Sequence, residues 1–158
     1  MRWTAKELDM YSQSKEYVDT VLIPLVPLSF GGQMKHSGSM NEFLTILSLE
    51  IEKQMKGRIL LMPSFHYVSN EVDKVERLKH WANEVKENNI KHVFFLTSDY
   101  EWKKHEGELE NHLIWIPAIA LESLENDQAR GMINQQVIQI LDIFTYNWKN
   151  EKKVGFFA

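Results

Sequence analysis

Residues 20–26 read TVLIPLV, followed by a proline and then a loop rich in glycine and serine. Apolar side chains occupy consecutive positions here, and Val21, Ile23 and Val26 are β-branched. A strand that is apolar on both alternating sets is buried on both faces, as in a parallel sheet covered by helices above and below. Pro27, which lacks a backbone donor, predicts the end of the strand.

The chain on either side fits this reading. Upstream, Thr4 and Glu7 have capping-box spacing and predict a short helix to about Lys15. Downstream, residues 25–40 read LVPLSFGGQMKHSGSM, a loop leading into a helix expected to open at a second capping box, Ser39 with Glu42. That helix carries Met40, Phe43, Leu44, Leu47, Ile51 and Met55 on one face. GRILLMP (57–63) predicts a second strand, HVFFL (92–96) a third and HLIWIP (112–117) a fourth. Between them, Asn70 to Asn88 predicts a helix with Val72, Val75, Leu78, Ala82 and Val85 aligned. Asp127 to Trp148 predicts a final helix with Ile133, Val137, Ile140, Leu141, Phe144 and Trp148 as its stripe, and Ile138 and Ile143 outside it. Residues 98–111, SDYEWKKHEGELEN, suit either a short helix or a loop.

Alternating short strands and amphipathic helices predict an α/β fold: one three-layer domain over residues 1–149, with a four-stranded, mainly parallel sheet and helices on both faces. Right-handed crossovers leave strand order 2-1-3-4, a flavodoxin-like arrangement, as the favoured topology. Residues 150–158 read as a charged, mobile C-terminal tail.

Composition narrows the function. The chain has 158 residues, a formal charge of −4 and 44% hydrophobic residues, which suit one mildly acidic domain with a full core. Lys and Arg alternate with Asp and Glu rather than forming a basic stripe, so no nucleic-acid partner is expected. No cysteine is present, which removes disulfides, thiol catalysis and Cys-ligated metal centres. The polar N-terminal stretch does not resemble a signal peptide, and Val21–Leu28 is too short to span a membrane. A cytoplasmic location is the expectation.

Ligands of open α/β sheets sit beyond the carboxyl ends of the strands. Strand one then delivers Ser29, Gly31, Gly32, Lys35, His36 and Ser37; strand two, Ser64, His66 and Tyr67; strand three, Thr97, Ser98, Asp99 and Tyr100; strand four, Pro117. With strands one to three adjacent, His36, His66 and Asp99 are expected to approach one another. Catalytic candidates are therefore His36, His66, Ser98 and Asp99, and ligand-binding candidates are Ser29, Gly31, Gly32, Ser64, Tyr67 and Thr97. The Gly31-Gly32 pair lacks a following GK[ST] or a GxGxxG frame, so it reads as a loop with glycines at positive φ. Ser29 or Ser98 with His66 and Asp99 makes a nucleophilic triad on paper, without a G-x-S-x-G elbow. Two histidines and one aspartate are too few for a firm metal site, and no metal or cofactor is expected. His80, His92, His105 and His112 read as surface residues, and Trp102, among charges, as exposed.

Three segments carry a resemblance. MRWTAKELDMY (1–11), KEYVDTVLIPLVPLSFG (15–31) and KGRILLMPSF (56–65) resemble the YpiF-type family of uncharacterised proteins from Gram-positive, spore-forming bacteria, over most of the chain. That resemblance implies no activity. The first half is also similar to creatininase-type amidohydrolases in the order strand, proline, loop, helix, strand, proline, a resemblance that implies a creatininase-like strand order as the alternative to the flavodoxin-like one. It departs from them at the metal ligands: Gly31-Gly32-Gln33 holds no carboxylate, only His36 remains, and no His-Gly-Gly-Asn segment follows. The expectation is a binding or protein-interaction module without metal-dependent catalysis, with the C-terminal helix and tail available to a protein partner or for self-association. The alternatives are a hydrolase working from a pocket around His36, His66 and Asp99, and a nucleotide-binding module using Gly31-Gly32.

Overall fold

A computed structural model describes residues 1–110 and 112–157, the stretch 151–157 as backbone. Four helices and five strands alternate: α1 (Ala5–Gln13), β1 (Thr20–Leu28), α2 (Met34–Gln54), β2 (Ile59–Leu61), β3 (Phe65–Val68), α3 (Lys74–Glu87), β4 (His92–Thr97), β5 (His112–Trp115) and α4 (Asn126–Phe157). Two short 3-10 helices, Tyr100–His105 and Leu121–Ser123, follow β4 and β5. Among the described residues all strand pairs are parallel, in the order β2-β1-β4-β5, with β3 also paired to β1.

Strand β1 explains the layering. Val21, Ile23 and Leu25 enter one core with Val93 and Phe95 of β4, beneath α3 (Val75, Leu78, Ala82, Val85) and α1. Leu22 and Val26 enter the opposite core with Phe94 and Leu96, beneath α2 (Phe43, Leu44, Leu47, Ile51) and α4 (Ile133, Val137, Ile140, Phe144, Trp148). Successive side chains of a strand point to opposite faces, so one unbroken apolar run supplies both cores.

The expected second strand is two strands. β2 pairs with Thr20–Leu22 and β3 with Leu25–Leu28, and the register slips by one residue between them. The slip falls at Met62-Pro63-Ser64. Leu22 accepts from the Met62 N–H at 3.0 Å, so Pro24, two residues on, faces the same edge where the ladder is broken. Its missing donor falls where the pairing is already interrupted. Pro27 lies beyond Leu25, the last residue of β1 paired with β4, so β1 runs past it to Leu28 instead of stopping there.

Helix α2 begins at Met34, before the expected capping box. Ser39 lies inside it and donates to Glu122 at 3.5 Å. The loop after β1 is therefore only residues 29–33, and MKHSG is helical. No described glycine has positive φ, contrary to the expected loop glycines. Thr4 does cap α1, accepting from the Glu7 N–H at 3.2 Å, while the Glu7 carboxylate takes the Arg2 N–H instead of completing the box. Helix α3 starts at Lys74, and Val72, expected on its apolar face, is 92% exposed in the preceding turn.

At the amino edge of the sheet, Arg58 grips Asp19 through two hydrogen bonds of 3.0 and 3.1 Å and lies 3.6 Å over the Trp148 ring. Trp148 Nε1 donates to Thr20 Oγ1 at 2.9 Å, and that hydroxyl donates to Asp19 Oδ1 at 2.8 Å. This closed ring fastens α4 to the starts of β1 and β2. Nearby, the amino group of Met1 forms a 3.0 Å ion pair with the buried Glu52 carboxylate. The backbone of α4 extends to Phe157, while the tail side chains Val154, Phe156 and Phe157 lie outside the described residues. Ile138 and Tyr146 are exposed on α4. Among the described residues no helix is long and apolar enough to cross a membrane.

Candidate functional site

Connections diverge at the carboxyl ends of β1 and β4. The chain leaves β1 for α2 on one face and leaves β4 through the Tyr100–His105 3-10 helix, whose Trp102 packs into the core on the other. Such a switch point leaves a crevice between the two departing loops. Here it is a cleft of about 330 Å³, lined by Ser29, Gln33, His36 and Ser37 after β1, Ser69 after β3, and Ser98, Asp99, Tyr100 and Glu101 after β4.

Two properties set its chemistry. The first turn of α2 is uncapped. Gln33 precedes it without a side-chain hydrogen bond, the turn contains no acidic residue, and Lys35 and His36 occupy it. Among the described residues, Met34 N–H bonds Gly31 and Ser37 N–H bonds Gln33, whereas the N–H groups of Lys35 and His36 have no partner. The second property is the hydroxyl of Ser98. Ser98 is 7% exposed and lines the cleft, yet its Oγ has no hydrogen-bond partner among the described residues.

The other wall is fully bonded. Tyr67 Oη donates to Asp99 Oδ2 at 2.7 Å and accepts from Trp102 Nε1 at 2.7 Å. Asp99 Oδ1 accepts from the Glu101 N–H at 3.1 Å, capping the 3-10 helix. Thr97 Oγ1 bonds the Leu25 carbonyl at 3.2 Å and receives the Asp99 N–H at 3.0 Å. Burial, and then the Asp99 carboxylate beside it, hold the Tyr67 phenol far above its ordinary pKa. Lys74 is buried behind this wall, 7% exposed, with Nζ 3.3 Å from the Ser69 carbonyl and 5.2 Å from the Tyr67 ring centroid.

Of the residues singled out by sequence, His36, Ser98, Asp99 and Ser29 share the cleft. His66 does not line it: it sits within β3 with its side chain exposed, and its carbonyl accepts from Arg77 at 3.0 Å. Tyr67 and Thr97 are buried scaffold behind the cleft rather than lining it, and Ser64 lies in the break between β2 and β3. Gly31 and Gly32 are exposed outside the cleft lining. Two expected surface residues are buried: Trp102 completely, against Phe65 and Tyr67, and His92 at 6% exposure in β4. Sequence reasoning missed Gln33, Ser69, Glu101 and Lys74. Gln33 follows directly from the true start of α2, whereas nothing in the local sequence marks Lys74 as buried. Among the described residues no three His, Asp or Glu side chains lie together as a metal-binding group.

Comparison with known proteins gives a relative but no activity. The chain is 31% identical over 148 residues to the uncharacterized protein YpiF of Bacillus subtilis (strain 168), covering 94% of this chain and 98% of that one. No solved structure matches. Residues 9–148, from α1 to the last core residue of α4, match the family described as "Protein of unknown function (DUF2487)", and the chain belongs to that family.

Proposed function

We propose that this protein is a cytoplasmic binding module whose ligand is a small polar molecule seated between the carboxyl ends of β1 and β4. The observation that carries the reading is the cleft itself: a switch-point crevice in which Ser29, His36 and Ser37, from the connection after β1, face Ser98 from the end of β4. Binding is favoured over hydrolysis because, of the expected His36, His66 and Asp99 set, His66 lies outside the cleft and Asp99 spends both oxygens on Tyr67 and the Glu101 N–H, which leaves His36 without a carboxylate to orient it among the described residues. A histidine that serves as the base for a nucleophile is itself held in place by a third group.

A thermal-shift survey of polar small molecules tests this, run on the wild type and on Ser37→Trp, which places a large ring in the cleft. At least one chemical class should raise the melting temperature of the wild type and leave the blocked variant unmoved. Equal responses from both proteins, or none from either, would overturn the reading.

A further inference from the structure

Resting on that reading of the cleft, we infer that it is an oxyanion site, built to hold a phosphate or carboxylate group against the first turn of α2.

The helix end asks for an anion and the protein supplies none. Acidic residues and side-chain caps normally occupy a helix N-terminus, because the macrodipole leaves partial positive charge there and the first N–H groups lack intrahelical partners. α2 is 21 residues long, has no side-chain cap and no acidic residue in its first turn, and carries Lys35 and His36 instead. The Lys35 ammonium adds like charge to the positive end of the dipole, and the N–H groups of Lys35 and His36 have no partner among the described residues. An external oxyanion would satisfy donors and charge together.

Ser98 is the independent observation. It reaches the cleft from β4, across from α2, and its enclosed hydroxyl has no partner among the described residues. An unpaired buried hydroxyl is costly, so its persistence calls for a partner. Ser29, Ser37 and Ser69 add further hydroxyls to the lining, and Lys74 adds a buried cation behind Ser69. The two carboxylates at the cleft are otherwise engaged: Asp99 as described, and Glu101 in an ion pair with Lys104 at 2.6 Å.

The test titrates the full chain with inorganic phosphate and, separately, with acetate, at constant ionic strength set with sodium chloride. Backbone amide resonances report binding, and a neutral polyol serves as the uncharged probe. Either anion should move the Lys35 and His36 amides saturably. Ser98→Ala should weaken that binding at least tenfold. Gln33→Asp, which supplies a carboxylate cap from within, should raise the melting temperature of the free protein and abolish the anion response. Phosphate acting without acetate assigns a phosphoryl ligand, and acetate without phosphate a carboxylate; both outcomes support the inference. If the polyol moves cleft amides and neither anion does, the cleft still binds but the oxyanion inference falls. If no probe moves them, both fall. Unchanged anion binding in Ser98→Ala and Gln33→Asp would also overturn it.

Discussion

The oxygen of Tyr67 links three elements: β3, the Asp99 turn and the 3-10 helix that carries Trp102. Tyr67→Phe keeps the ring and removes that oxygen, leaving the buried Trp102 Nε1 donor unsatisfied. It should cost about 1–3 kcal/mol in denaturant unfolding. The same oxygen sets an alkaline limit. Its pKa is raised on folding by burial and by Asp99, while the unfolded phenol titrates near ~10. Its contribution is therefore complete below about pH 10 and is lost as pH rises toward the folded pKa. Melting temperatures measured from neutral to strongly alkaline pH should fall above that point in the wild type, with this component missing from Tyr67→Phe. The sequence marks Tyr67 as a strand-end residue but not as buried. Its burial depends on β3, a strand of four residues whose buried-exposed alternation is too short to stand out from a turn.

Among elements, α2 was the least legible at its start. Ser39 and Glu42 have the spacing of a capping box, and Gly38 precedes them as a helix breaker would. The helix nevertheless begins at Met34, although its buried residues begin only at Met40, so no apolar periodicity marks the added turn. Gly38 thus lies inside a helix, and a Cβ there would meet no atom within 4 Å. Gly38→Ala should stabilise the fold by about 0.5–1 kcal/mol, read as a higher urea midpoint with an unchanged slope. A drop would place the helix start back at Ser39. The apolar stripe of α4 is legible in the sequence, because Ile133, Val137, Ile140, Phe144 and Trp148 match the buried set, whereas its end is not: the backbone stays helical to Phe157 rather than stopping at Trp148. What the stripe could not reveal is that Trp148 also supports Arg58 and donates to Thr20. Trp148→Ala should cost about 3–5 kcal/mol, the range for losing a large buried aromatic. A loss below about 1 kcal/mol would mean the ring at the amino edge does not fasten α4.

At the scale of the whole molecule, the sheet order followed from continuous apolar runs and the handedness of crossovers. TVLIPLV is apolar on both faces and needs helices above and below, and it pairs with β2 and β3 along one edge and β4 along the other. The split of the second strand escaped notice because Pro63 resembles a terminator and in fact marks a one-residue slip. That slip divided the candidate site. Residues after β1 and β4 meet in one cleft, whereas those assigned to the end of the second strand lie within or before β3, and His66 points elsewhere. Two apolar hollows beside Trp3 and Met62 on the α1–α3 face, one of them reaching Trp81, are rivals to the cleft. The most direct measurement is a two-dimensional amide NMR map of the full chain during titration with a mixture of small polar fragments. The account predicts shifts confined to residues 29–37, Ser69 and residues 98–101. Shifts centred on Trp3 and Trp81 with the cleft silent would contradict it.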